Sequence, residues 1–154
     1  MELLKTLGPS IITLVGIVIG WYLKEQSEKL RLQKEKLLET KRENYLKVLI
    51  PIIRIFAGIR NKNEMEKAIK EVQSFDYKQT AFHLMMFGSD GVVRAYNDFF
   101  QFLYNQPDTS SPKLMMTYLG RLVIEIRKDI GNNSTTLKEL DMLRFMITDI
   151  DKFN

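Results

Sequence analysis

No charged residue interrupts the chain from Thr6 to Leu23, TLGPSIITLVGIVIGWYL, and Ser10 and Thr13 are the hydroxyl side chains within the stretch besides Thr6 at its start and Tyr22. At about 1.5 Å rise per residue it makes a helix roughly 27 Å long, close to the ~30 Å hydrocarbon thickness of a bilayer. A water-soluble core helix needs a polar face, and none exists here. A cleaved signal peptide is the competing reading, with Val18-Ile19-Gly20 as its small-residue cleavage site. Cleavage would export Lys24, Lys29, Arg31, Lys34, Lys36, Lys41 and Arg42, set against four Glu in the same segment. Such a basic run holds its side of a span in the cytosol. The pattern therefore predicts a single-pass membrane protein, N-terminus outside and C-terminal domain cytoplasmic. Trp21 and Tyr22 fall at the inner boundary, where amphipathic rings prefer to sit.

Gly16 and Gly20 share one face of this helix at GxxxG spacing, which lets a second backbone approach. They are the candidate transmembrane contact, and the chain is expected to be a homo-oligomer. From Lys24 to Ile50 there is neither Pro nor Gly, so the helix should run on. Leu23, Leu30 and Leu37 recur every seven residues, but Ser27 and Lys34 half empty the heptad. A solvated stalk and a loose parallel coil are both compatible with this pattern.

After Tyr45 the pattern becomes that of a packed domain. YLKVLIPIIRIFAGI is apolar apart from Lys47 and Arg54. Pro51 predicts a kink between helices over 41–50 and 52–60, or an interfacial segment that touches the membrane. Helical spacing then predicts elements over 64–74, 76–87, 90–105, 112–130 and 136–150. Ser89 or Asp90 caps one of them, Pro112 opens another, Gly131 closes it, and Thr136 with Glu139 has capping-box spacing. Strand-type alternation is almost absent. The fold class is all-α: a transmembrane helix (1–23), a helical stalk (24–44) and an antiparallel cytosolic helical bundle (45–154).

Composition narrows the chemistry. The 154 residues include no Cys and one His, which removes disulfides, thiolate catalysis and Cys- or His-rich metal sites. No metal and no cofactor are expected. The net charge of +4 is mild. It suits an anionic surface such as membrane lipid better than a nucleic-acid groove, so no specific nucleic-acid binding is expected. His83 sits in AFHLMMF and reads as a buried or half-buried core residue. Met85, Met86, Met115, Met116, Met142 and Met146 read as flexible core, or as an adaptable groove for a protein partner.

Three stretches concentrate polar groups: Ser89, Asp90, Arg94 and Asn97; Arg121, Glu125, Arg127, Lys128 and Asp129; and Asp141, Arg144 and Asp149. Arg121, Glu125 and Lys128 lie on one face at four- and seven-residue offsets. Exposed ion pairs account for them, and a cationic recess for a nucleotide, phosphate or acidic partner is the functional alternative.

The patterns SDGVVRAYNDF (89–99), LGRLVIEIRKDIG (119–131) and TTLKELDMLRFMITDID (135–151) resemble a set of small bacterial and prophage proteins. These pair an N-terminal span with a cytosolic helical domain. The resemblance implies Ser89, Asp90, Asn97, Arg127, Lys128, Asp129 and Asp149 as residues to test, and no particular activity. Proteins of similar build occur in phage defence and superinfection exclusion. The sequence therefore points to a non-enzymatic anchored interaction protein. The alternative is a membrane effector gated by an anionic nucleotide.

Overall fold

The computed structural model describes residues 2–57, 61–105 and 112–146, with side chains from residue 16 onward. Among these residues the protein is all-α. Five helices follow in order: α1 (Glu2–Ala57), α2 (Lys62–Gln73), α3 (Phe75–Phe87), α4 (Asp90–Asn105) and α5 (Pro112–Asp129), then a 3-10 turn at Asp141–Leu143. The chain divides into two units, Met1–Glu39 and Thr40–Asn154.

In the first unit, the described side chains from Gly16 to Glu39 are exposed, apart from Glu25 and Leu38, which are partly covered. Ion pairs run along the helix, Lys29 to Glu25 at 2.7 Å and Arg31 to Glu35 at 3.6 Å. Pairs of this kind add about 0.3–0.5 kcal/mol each to a helix rich in good formers. Among the described residues no helix is long and apolar enough to cross a membrane, and positions 6–15 of the uncharged stretch lie outside the side chains described.

The second unit is a helical bundle around one core. Tyr45, Val48, Leu49 and Ile52 of α1 meet Tyr77, Ala81 and Leu84 of α3, Val92, Tyr96, Phe99 and Phe100 of α4, and Leu119, Leu122 and Ile126 of α5. The 3-4 spacing within each set gives each helix one apolar stripe, and the stripes close on each other. Aromatic side chains fill the centre. Tyr96 and Phe100 rings lie 4.6 Å apart, and Phe102 stacks on Tyr118 at 4.8 Å. The Tyr77 hydroxyl donates to the Val48 carbonyl at 3.3 Å, so the core tyrosine is not left unpaired.

Local signals set several helix ends, Pro112 and Gly131 as expected and Ser74 in addition. The Ser74 hydroxyl accepts from the Tyr77 N–H at 3.1 Å at the start of α3. After α5, Gly131 takes φ +113°, Asn132 N–H donates to the Arg127 carbonyl and Gly131 N–H to the Lys128 carbonyl. That is the Schellman arrangement, and a left-handed φ of this size favours glycine.

Three expectations are corrected. Helix α1 is continuous through Pro51 rather than split there. Pro51 lacks the N–H that would satisfy the Lys47 carbonyl, but Val48, Leu49 and Ile52 around it are core residues, and their burial outweighs one missing bond. The predicted helix over 136–150 is not formed in its described part. Residues 132–140 are turns and irregular chain, and Thr136 and Glu139 cap no helix. Here the backbone of Glu139 crosses α5 at Gly120, where a β-carbon would lie 2.1 Å from the Glu139 carbonyl oxygen. Lys138 N–H is taken by the Asp141 carboxylate at 2.9 Å, and Leu143 is buried in the core. His83 is the third correction: it is exposed on α3, edge-on to Phe87 at 6.4 Å.

Candidate functional site

Asp129 ends α5, where the unsatisfied carbonyls of the last turn disfavour a negative charge. The fold compensates with groups from two other elements. Lys41 of α1 donates to both carboxylate oxygens, at 2.9 and 3.1 Å. Tyr45, one turn further along α1, donates its hydroxyl to Oδ2. The Ser89 side chain, just before α4, lies close enough to favour the charged carboxylate as well. The side chains of Lys41 and Asp129 are only 15% and 9% exposed. This is therefore a semi-buried charge pair with its lone pairs used, the kind that tolerates burial.

The electrostatics follow from that packing. Burial alone would raise the Asp129 carboxyl, but the Tyr45 hydroxyl, the Lys41 ammonium and Ser89 outweigh it and hold it below the usual carboxylate value. Burial, then the neighbouring carboxylate, pushes the Tyr45 phenol far up, so it stays a donor at neutral pH.

A second acidic side chain sits one turn back. Glu125 lies against the first turn of α4, where a β-carbon on Gly91 would be 2.3 Å from Oε2. Only a residue without a β-carbon admits that approach. Glu125 also holds Lys128 at 2.6 Å. Glu125 and Asp129, four residues apart on α5, thus place two carboxylates beside Gly91 and Ser89, where the N-terminus of α4 welcomes negative charge.

The residues singled out in the sequence divide accordingly. Ser89 and Asp129 meet, and Lys128 joins Glu125. Arg94 pairs loosely with Asp90 at 3.9 Å, with both exposed. Arg121 reaches Asp98 at 3.5 Å between α5 and α4. Asn97 is exposed on α4. Arg127 is half-buried, and its Nε is without a hydrogen-bond partner among the described residues. Asp149 lies outside the described residues. Arg94, Arg121 and Lys128 are each engaged by a different carboxylate. Lys41 and Tyr45 are the members that sequence reasoning missed. Among the described residues, nothing outside the helix backbone lies within 4 Å of a β-carbon placed on Gly16 or Gly20.

Chemically the cluster holds three helices together. Asp129 is saturated as an acceptor, and no group of three potential metal-ligating side chains occurs among the described residues. Elsewhere in the second unit, α3 turns an uncharged stripe outward. Phe75, Gln79, Phe82 and Met86 fall within about 60° of one another around the helix. Phe75 is 78%, Phe82 62% and Met86 64% exposed. An apolar cavity of about 240 Å³ lies between α1, α2, α4 and α5, lined by Ile52, Phe56, Met65, Val72, Phe100 and Met115 among others. Of the six Met read as flexible core or as a groove, Met85, Met115 and Met116 pack against the core, Met115 also lines the cavity, and Met86 lies on the exposed stripe. A comparison of the chain with protein-family models, with curated proteins and with solved structures finds no match.

Proposed function

We propose that the protein is a non-enzymatic interaction module, anchored in the bacterial inner membrane by Thr6–Leu23, that recruits a partner protein to the cytosolic face. The anchor continues into a stalk and then into an antiparallel bundle. The observation that carries the recruiting role is the outward stripe of Phe75, Phe82 and Met86 on α3. Large apolar side chains aligned on one helix face, opposite the buried Tyr77, Ala81 and Leu84, mark a surface built to be covered. Aromatic residues of this kind supply much of the energy at protein interfaces. The semi-buried Lys41–Asp129 pair supports the same reading, because it spends the strongest charges of the cluster on joining helices.

The test is site-specific photo-crosslinking in intact cells. A photoreactive residue at Phe82 is expected to give a discrete adduct with one other protein, and the same residue at exposed Lys70 none. Leu14→Lys, which puts a charge at the middle of the anchor at a cost of about 2.5–3.5 kcal/mol, should lower the Phe82 adduct by releasing the protein from the membrane. Equal labelling at Phe82 and Lys70 would overturn the recruiting role.

A further inference from the structure

In the first unit, α1 carries a seam at strict four-three spacing: Gly16, Gly20 and Leu23, then Ser27, Leu30, Lys34 and Leu37. Every one of these residues is exposed, and none is covered by another of the described residues. Past Thr40 the same spacing lands on Lys41, Asn44 and Val48, which are paired or buried in the second unit. The packing repeat of α1 is thus filled by neighbours beyond residue 40 and empty before it. We propose that a second copy of this chain fills it, so that α1 forms a parallel, in-register two-stranded seam from Gly16 to Leu37.

The flanking charges select this occupant and its direction. With Leu23, Leu30 and Leu37 at d positions, one flank of the seam carries Lys24 and Arg31, and the other Gln26 and Gln33. Parallel strands set each flank against the opposite flank of the partner, basic against neutral amide. Antiparallel strands would set Lys24 and Arg31 against their own copies. Along the same helix Lys29 pairs with Glu25, and Arg31 also reaches Glu35. Lys34 at an a position costs stability, as a single polar seam residue does, and in return fixes register and strand number. A shared 3.5-residue repeat selects a left-handed crossing, in which Gly16 and Gly20 bring the two backbones close. This inference rests on the anchor proposed above, which holds copies parallel in one plane and raises their effective concentration.

The chain has no cysteine of its own, so disulfide scanning of the full protein in native membranes reads the seam directly. Leu23→Cys, Leu30→Cys and Leu37→Cys should each oxidise to a dimer, on the order of tenfold more than Glu28→Cys, Leu32→Cys or Glu39→Cys on the other faces. Leu30→Asp added to the Leu23→Cys chain should remove its dimer. Cross-linking at Leu30 alone would indicate an antiparallel crossing, and equal cross-linking at all six positions would indicate chance collisions. Either result overturns the seam. Carbonate extraction of the same samples separates the two proposals. A pelleted protein without the three-position pattern overturns the seam and leaves the anchor standing. A released protein removes the anchor, and the seam then stands or falls on the same pattern in the soluble fraction.

Discussion

Lys41 and Asp129 are eighty-eight residues apart in sequence and 2.9 Å apart in space, and Tyr45 closes on the same carboxylate. The pair joins the helix that enters the bundle to the last long helix within it. Breaking it from one side leaves a charge stranded where water does not reach it well. Lys41→Met should therefore cost about 3–5 kcal/mol, whereas Lys41→Met with Asp129→Leu should regain most of that loss. Tyr45→Phe, which removes one donor to a charged acceptor, should cost about 1.5–3 kcal/mol. Denaturant unfolding of the three variants checks the order. A double variant no more stable than Lys41→Met would show that the pair does not act as a unit.

The same carboxylate sets a pH dependence. Its folded value is depressed. Its contribution is therefore present above the unfolded value of about 3.9 and disappears as pH falls through the lower, folded value. Stability should drop on acidification through this window, and Asp129→Asn, though less stable at neutral pH, should show a shallower drop. Unfolding midpoints across the acid range measure the slope. Equal slopes in the two proteins would contradict the assignment.

Gly120 and Gly91 should respond differently to a methyl group. At Gly120 the obstacle is the Glu139 backbone, 2.1 Å away, and the segment carrying Leu143 into the core would have to move. Gly120→Ala should cost about 1–3 kcal/mol and expose residues 132–140 to protease. At Gly91 the obstacle is the end of the Glu125 side chain, which can swing aside at the expense of the Lys128 contact. Gly91→Ala should cost less, and thermal melts with limited proteolysis distinguish the two.

Phe82→Ser on the outward stripe of α3 should leave stability within about 0.5 kcal/mol, as surface changes do. It should nevertheless abolish adduct formation by a photoreactive residue at Met86. Phe99→Ala, on a side chain buried in the core, should instead cost about 3–5 kcal/mol. A large stability loss at Phe82 would mean that the stripe is structural.

Much of this architecture is legible in the sequence because local signals carry it. Pro112 and Gly131 mark helix ends, and the apolar spacing of Val92, Tyr96, Phe99 and Phe100 announces a buried face. What is illegible depends on distant contacts. Asp129 stands out as a carboxylate at an unfavourable helix end, but nothing near it names Lys41, which reads as one member of a basic run. The helix expected from Thr136 is lost because its chain crosses Gly120, a meeting no local pattern records. Pro51 misleads in the opposite direction, since the core residues on both sides hold α1 together despite the missing N–H.

In the proposed function, Thr6–Leu23 anchors an interaction module at the cytosolic face of the membrane. Alkaline carbonate extraction of membranes from cells making the full chain tests it most directly. The protein should remain in the membrane pellet, and protease added to intact spheroplasts should leave the bundle uncut. Release of the full-length protein into the supernatant would contradict the account.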